Sequence, residues 1–274
     1  MAEPFVALMR RYVNDYTNRH DTSVCAEIME PDYTLRMGPH EVAGRDELYI
    51  PAAQKQFTEF PGLCLTVHEI VTNGERLAMR FSEHGRSVRH DGAAAVWTGL
   101  GLYRWNGRKL VDNFVEQDYL SRRRQLAGGP TAVVEAPATA PWDTVAAAPS
   151  PEAEAVVRAW IGRDDDNVTV DDSPSLLVDA SSQVDDLFSA GPNVAFRVTR
   201  TGTYSGGLDV DPAMVGRPAT LHMVGLVHVT DGRVVGGNVV RDRLGLTRSL
   251  TSVGVGDAER QVPDARQLAS QPGR

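Results

Sequence analysis

The chain repeats itself once at long range, and this repeat limits its fold more than any other feature. Gly101-Leu102-Tyr103-Arg104-Trp105, followed by Asn106-Gly107-Arg108, returns as Gly225-Leu226-Val227-His228-Val229, followed by Asp231-Gly232-Arg233. Downstream, Arg124-Gln125-Leu126 returns as Arg248-Ser249-Leu250. A one-residue shift in the turn places Asp118 on Asp242, an offset of 124 residues. A repeat that long means domain duplication, not a solenoid, and 274 residues hold two domains. Residues 127–150 separate the halves. Fourteen of these 24 residues are Ala, Pro or Gly, without helical or strand periodicity, so a semi-extended linker is expected. The expected division is 1–126, linker 127–150, a reduced second domain 151–250, and a loose tail 251–274.

Each half reads as helix followed by strands. Phe5, Leu8, Met9, Tyr12, Val13 and Tyr16 have amphipathic helical spacing. Cys25, Ile28 and Met29 predict a short second helix stopped at Pro31, and Gly44–Leu48 reads as a loop into an acidic first turn. Leu63–Val71, Arg76–His84, Ala93–Trp105 and Lys109–Tyr119 read as strands, with Thr72-Asn73-Gly74 and Asn106-Gly107 as hairpin turns. The second half keeps one helix, Glu152–Ile161, and strands Val194–Tyr204, Ala219–Thr230 and Arg233–Asp242. This order predicts an α+β class.

Composition narrows the function. The net charge of −8 argues against a general nucleic-acid binder. No run approaches 18 apolar residues, so no membrane span is expected. Met1 to Arg11 lacks the apolar core of a secretory signal, so a cytoplasmic location is expected. Two lysines against 26 arginines, with abundant Ala, Val and Gly, suggest a GC-rich bacterial genome. Only Cys25 and Cys64 are present, too few for a disulfide framework or a cysteine-based zinc site. Glu83-His84 and His90-Asp91 fit no zinc spacing. With His40 and His68 they are expected as exposed polar residues, and no metal is expected. No phosphate loop, nucleophile elbow or Cys–His pair appears, so no cofactor is expected.

The stretch Phe60-Pro61-Gly62 to Val67, then Thr72-Asn73-Gly74-Glu75-Arg76-Leu77-Ala78-Met79-Arg80-Phe81, resembles the central hairpin of SnoaL-like polyketide cyclases in the NTF2-like superfamily. Asn113-Phe114, Asp118 and Arg124-Gln125-Leu126 resemble that family's last strand and tail, as do Asn238, Asp242, Leu244-Gly245-Leu246 and Leu250. The resemblance implies two tandem NTF2-like cone folds, each a curved antiparallel sheet packed on helices, the second reduced. It implies cofactor-free acid/base chemistry on a hydrophobic carbonyl metabolite, expected to be aldol-type cyclisation in bacterial secondary metabolism. Epoxide hydrolysis or epoxide-opening cyclisation is one alternative, and a non-catalytic binding or scaffold protein is another.

The resemblance assigns the general acid/base to Asp118. Glu116 lies two residues away, on the same side of the strand. An apolar pocket and a neighbouring carboxylate would both raise a carboxyl pKa towards neutrality. Tyr12 resembles the oxyanion-binding tyrosine of ketosteroid isomerases. Met37 and Gly101 stand where those enzymes carry their acids, which disfavours steroid-type isomerisation. Arg80 would orient a carboxylate or polarise a carbonyl. Tyr16, Trp97, Tyr103 and Phe114 would form ligand-binding walls. The family's histidine position holds Arg104 in the first half and His228, paired with Asp242, in the second. Only 32 residues separate helix from first clear strand in the second half, against 57 in the first, so the pocket is expected in the first. The partner is expected to be a hydrophobic small molecule. The halves are expected to pack on each other as an intramolecular pseudo-dimer, leaving the chain monomeric.

Overall fold

The computed structural model describes residues 3–161 and 168–252. The tail expectation therefore falls, after Ser252, outside the described residues. The first half opens with α1 (Pro4–Arg11), which continues as a wider helical segment, Tyr12–Thr17. Then come α2 (Cys25–Ile28), β1 (Met29–Met37), β2 (His40–Ala43), α3 (Ile50–Glu59), β3 (Cys64–Thr72), β4 (Arg76–Ser87), β5 (Ala93–Trp105), β6 (Leu110–Gln117) and α4 (Tyr119–Leu126). The second half comprises α5 (Pro151–Trp160), β7 (Val168–Thr169), β8 (Leu177–Ala190), β9 (Asn193–Tyr204), β10 (Pro218–Thr230), β11 (Arg233–Arg241) and α6 (Arg243–Ser252).

The strands form two sheets, ordered β2-β1-β6-β5-β4-β3 and β7-β11-β10-β9-β8. Neither is purely antiparallel, because β1 runs parallel to β6 and β7 parallel to β11. Four strands lie where no strand was expected, the two-residue β7 among them. β1 begins at Met29 and carries Pro31 inside it, so this proline marks no helix stop. β2 follows it, and β8 is a long edge strand whose polar run Asp179–Gln183 conceals it from a hydrophobic pattern.

The duplication is legible in the hydrogen-bond register. Gly101 pairs with Val115 as Gly225 pairs with Val239, and Trp105 with Leu110 as Val229 with Val234. The offset of 124 thus holds on both sides of the hairpin turn. The same irregularity follows Arg104 in one ladder and His228 in the other.

Alternation sorts each strand's residues between two cores. Leu77, Met79, Phe81 and Tyr103 face inward with Tyr12, Val13 and Tyr16, forming the first half's interior. Ala78, Leu100 and Leu102 face the opposite way. They share a cluster with Ala195, Val224, Leu226 and Val240, so the two sheets pack face to face through their outer surfaces. Gly225 permits a close approach in the second half: a Cβ there would lie 2.2 Å from the Phe196 ring. The connecting segment lies along the first sheet. His68 Nδ1 bonds the Ala136 carbonyl at 2.9 Å, and the amides of Ala138 and Ala147 donate to the carbonyls of Val67 and Thr72.

Candidate active site in the first half

The interior of the first half is lined with phenols. Tyr12 and Tyr16 come from the N-terminal helix, Tyr33 from β1, Tyr49 from the turn before α3, and Tyr103 from β5. Each is at most 9% exposed. Tyr16 donates its hydroxyl to that of Tyr49 at 3.2 Å, and the Tyr12 and Tyr49 hydroxyls lie 3.1 Å apart. Tyr33 donates to Asn113 Oδ1 at 2.6 Å. Burial pushes all five phenols well above their ordinary pKa, so they are hydrogen-bond donors and acceptors, not bases.

One carboxyl reaches this interior from the sheet. Glu83 follows Leu77, Met79 and Phe81 at alternate positions on β4 and lies opposite Trp97 of β5. It is 6% exposed. Gln56 of α3 donates to Glu83 Oε2 at 2.7 Å. Burial pushes the Glu83 carboxyl up to about 7, against the Gln56 hydrogen bond and the nearby positive charge of Arg122, which hold it down. The Arg122 guanidinium lies over the rings of Tyr119, Trp97 and Phe60, at 4.4, 5.1 and 5.6 Å from their centroids. Trp97 also donates to Gln117 Oε1 at 2.7 Å. The charge of Glu83 raises the pKa of Tyr12, Tyr16, Tyr103 and Tyr119, so it acts on the phenolic group as a neighbour. A carboxyl titrating near 7 beside phenolic donors is equipped to move a proton on carbon or oxygen at neutral pH. The expectation that Glu83 and His68 are exposed is therefore corrected. The signal for Glu83 lay in the alternation Leu77, Met79, Phe81, Glu83, which continues an apolar face.

Among the residues singled out from sequence, Tyr12, Tyr16, Trp97 and Tyr103 are buried on this side of the sheet. Asp118, Glu116, Arg80 and Phe114 are not on it. On β6 the inward positions are Asn113 and Val115, whereas Phe114 packs in the cluster between the halves. Neither face of β6 is cleanly apolar, so alternation alone leaves its inward face undecided. Asp118 caps α4, accepting from Ser121 N at 3.2 Å and Ser121 Oγ at 2.6 Å. Arg243, 1% exposed, donates to both its carboxylate oxygens. Asp242 plays the same part for α6, accepting from Gly245 N at 2.8 Å. The backbone agrees: Asp118 N donates to Thr98 O, and Asp242 N to His222 O, 124 residues further on.

Glu116 is 1% exposed and accepts from Gly38 N at 2.8 Å. Burial first, then Asp242 of the second half, pushes its carboxyl well above the usual range. The Gly38 amide and Arg197 oppose them. Phe114 lies beneath the guanidinia of Arg36 and Arg197. His228 bonds Asn193 Oδ1 at 2.6 Å and faces Glu69 at 3.4 Å, while Asp242 serves its helix, so the expected His228–Asp242 pair is not assembled. Arg80 and Asp118 do line one cleft between the halves. Each is already engaged there, Arg80 by Glu69 and Glu135 and Asp118 by Arg243. Among the described residues no three His, Cys, Asp or Glu side chains gather to hold a metal ion. No helix among them is long and apolar enough to cross a membrane.

Two α+β sheets carrying helices, related by an offset of 124 and joined through their outer faces, define a tandem of cone-shaped domains. The family profile of the SnoaL-like domain matches residues 9–113, and that of the SnoaL-like polyketide cyclase matches residues 164–250. The chain belongs to the SnoaL-like family, as two domains in tandem. No curated protein matches it. Similar solved structures each align with a little under half of the chain. A protein of Jannaschia sp. CCS1, assigned as a SnoaL-like polyketide cyclase, is 16% identical over 47% of this chain and 95% of its own, at a TM-score of 0.43. IdmH of Streptomyces antibioticus, assigned as a polyketide cyclase, is 21% identical over 46% and 99%, at 0.39. AclR of Streptomyces galilaeus, assigned as a hydroxylase, is 21% identical over 46% and 83%, at 0.40.

Proposed function

We propose that the first half is a cofactor-free acid/base enzyme acting on a hydrophobic carbonyl compound, with cyclisation by intramolecular aldol-type attack as its reaction. The observation that carries this reading is Glu83, a buried carboxyl raised to about 7 on the inner face of the sheet. In its ionised form it takes the proton from carbon next to a carbonyl. The enolate oxygen is then met by a phenolic O–H of the Tyr12, Tyr16 and Tyr49 group. Asp118 has no part in the step. The second half is read as the packing partner of the first, supported by the shared cluster of Leu100, Leu102, Val224 and Leu226.

The test is turnover of polycyclic aromatic ketones by wild type, Glu83→Gln and Asp118→Asn. A loss of about 100-fold or more in kcat is expected for Glu83→Gln, the usual contribution of a positioned acid/base. Asp118→Asn is expected to keep kcat. Full activity in Glu83→Gln sinks the assignment. A second reading is favoured by the burial of all five phenols as core residues: a non-catalytic scaffold. It predicts neither binding nor turnover of these ketones by wild type or Glu83→Gln.

A further inference from the structure

On the other side of the sheet from Glu83, the two halves and the connecting segment enclose a cleft of about 130 Å³. Its apolar side is Val240 of β11 with Val170, and its polar side holds Arg80, Asp118 and Arg241. Most of these charges are locked. Arg241 is engaged by Asp171, and Asp118 by Arg243.

Arg80 is held differently. Its Nη1 and Nη2 donate to the two carboxylate oxygens of Glu135 at 2.5 and 2.9 Å. Its Nε is buried and makes no hydrogen bond, with Glu69 Oε2 3.6 Å away. Glu135 belongs to the connecting segment, and half of its side chain is exposed. The neighbouring backbone is fixed separately, through Ala136 O and Ala138 N. Glu135 can therefore swing out of the cleft by side-chain rotation alone. The equivalent arginine of the second half shows the contrast. Arg80 pairs with Leu100 as Arg197 pairs with Val224, the residue 124 positions after Leu100. Arg197 leaves its Nε unpartnered as Arg80 does, but its Nη groups are held by buried partners, donating to Gly38 O of the first half at 2.6 Å and Asp185 Oδ2 at 2.8 Å.

We propose that this cleft binds a short-chain monocarboxylate, which takes the Arg80 guanidinium from Glu135 and lays its alkyl tail on Val170 and Val240. The exchange replaces one carboxylate by another, so the local charge balance is kept, and the fork geometry of arginine suits either. The volume fits: a cavity of about 150 Å³ takes benzene, so 130 Å³ takes a four-carbon acid. Breaking the pair releases a half-exposed carboxylate into water, while Arg80 keeps a carboxylate partner throughout the exchange.

The experiment is titration of the full chain with butyrate, and with butyramide as the uncharged analogue, followed by calorimetry and by the Nε–H resonance of Arg80. Butyrate is expected to bind Glu135→Gln about fivefold more tightly than wild type, the ratio for losing one exposed competing pair. It is expected to shift the Arg80 resonance in both. Butyramide is expected to bind neither. Adding Arg80→Lys to Glu135→Gln is expected to abolish binding. If that double variant does not fold, the Arg80 resonance decides alone. Equal binding of butyrate and butyramide, no gain in Glu135→Gln, an unmoved Arg80 resonance, or no butyrate binding at all overturns the proposal.

Discussion

Arg243 Nη2 lies 2.8 and 2.6 Å from the two carboxylate oxygens of Asp118, a residue of the other half. The same guanidinium reaches Asp171, Asp172 and Ser173 through Nη1. The position that family resemblance marks as catalytic is thus a helix cap and a joint between domains. Its carboxylate is spoken for by Ser121 and Arg243. On the proposed reading, acid/base chemistry rests on the interior of the first half, with Glu83 as its carboxyl.

Asp118→Asn separates the two structural duties. Asparagine caps a helix about as well as aspartate, so the variant keeps the Ser121 contact and loses the charged partner of Arg243. The expected cost is about 1.5–3 kcal/mol, as for a hydrogen bond to a charged group. Urea unfolding of wild type and variant checks it, and identical midpoints with identical slopes contradict it.

Glu83 makes stability fall with pH. Its folded-state pKa is about 7, raised from the ordinary carboxylate value of 4.5. The folded state therefore holds this proton where the unfolded state has lost it. The contribution is complete below about pH 4.5, declines up to about 7 and is gone above that, a change of up to about 3 kcal/mol. The difference in unfolding free energy between wild type and Glu83→Gln, measured from pH 4 to 9, should follow this curve and level off above pH 7. A difference independent of pH refutes the burial of an ionisable carboxyl here.

Tyr49 is the hub of the phenolic group, since both Tyr12 and Tyr16 use its hydroxyl. Tyr49→Phe leaves two buried hydroxyls short of a partner. The expected destabilisation is about 1–3 kcal/mol, visible as a lower thermal midpoint. Tyr16→Phe removes only the Tyr16–Tyr49 contact and should cost less. If the two variants are equally stable, the hydroxyls are not coupled as described.

Much of the architecture was readable from local pattern. The strand Ala93–Trp105 announces itself by β-branched and aromatic residues and Arg76–His84 by the alternation of Leu77, Met79 and Phe81, and the offset of 124 reappears in the ladders. The interior positions of Tyr12, Tyr16 and Tyr103 follow from helical spacing and strand alternation. The face of β6 was not readable. Asp112, Phe114 and Glu116 alternate with Asn113, Val115 and Gln117, and no apolar stripe tells inside from outside. Only packing on the second half decides it, and that is a contact between residues more than 100 positions apart. β8 was hidden for a related reason. It is an edge strand with a largely solvated stretch, so hydrophobic alternation has little to act on.

Glu116 gives the contact between halves its own pH dependence, distinct from that of Glu83. It is enclosed by the Gly38 amide from the β1–β2 turn, Asp242 at the start of α6 and Arg197 of β9. Burial and Asp242 favour its protonated form, and Arg197 and Gly38 only partly oppose them. Because the folded state keeps this proton to higher pH than the unfolded state, stability is lost as pH rises through the raised folded-state pKa. Glu116→Gln keeps an oxygen for Gly38 N and cannot ionise. The variant should therefore gain on wild type as pH rises from the ordinary carboxylate range through that raised pKa. All other titrating groups are common to both proteins and cancel in the difference. Urea unfolding of the pair from pH 5 to 9 measures it, and parallel curves would show that Glu116 carries its charge inside the contact at no cost.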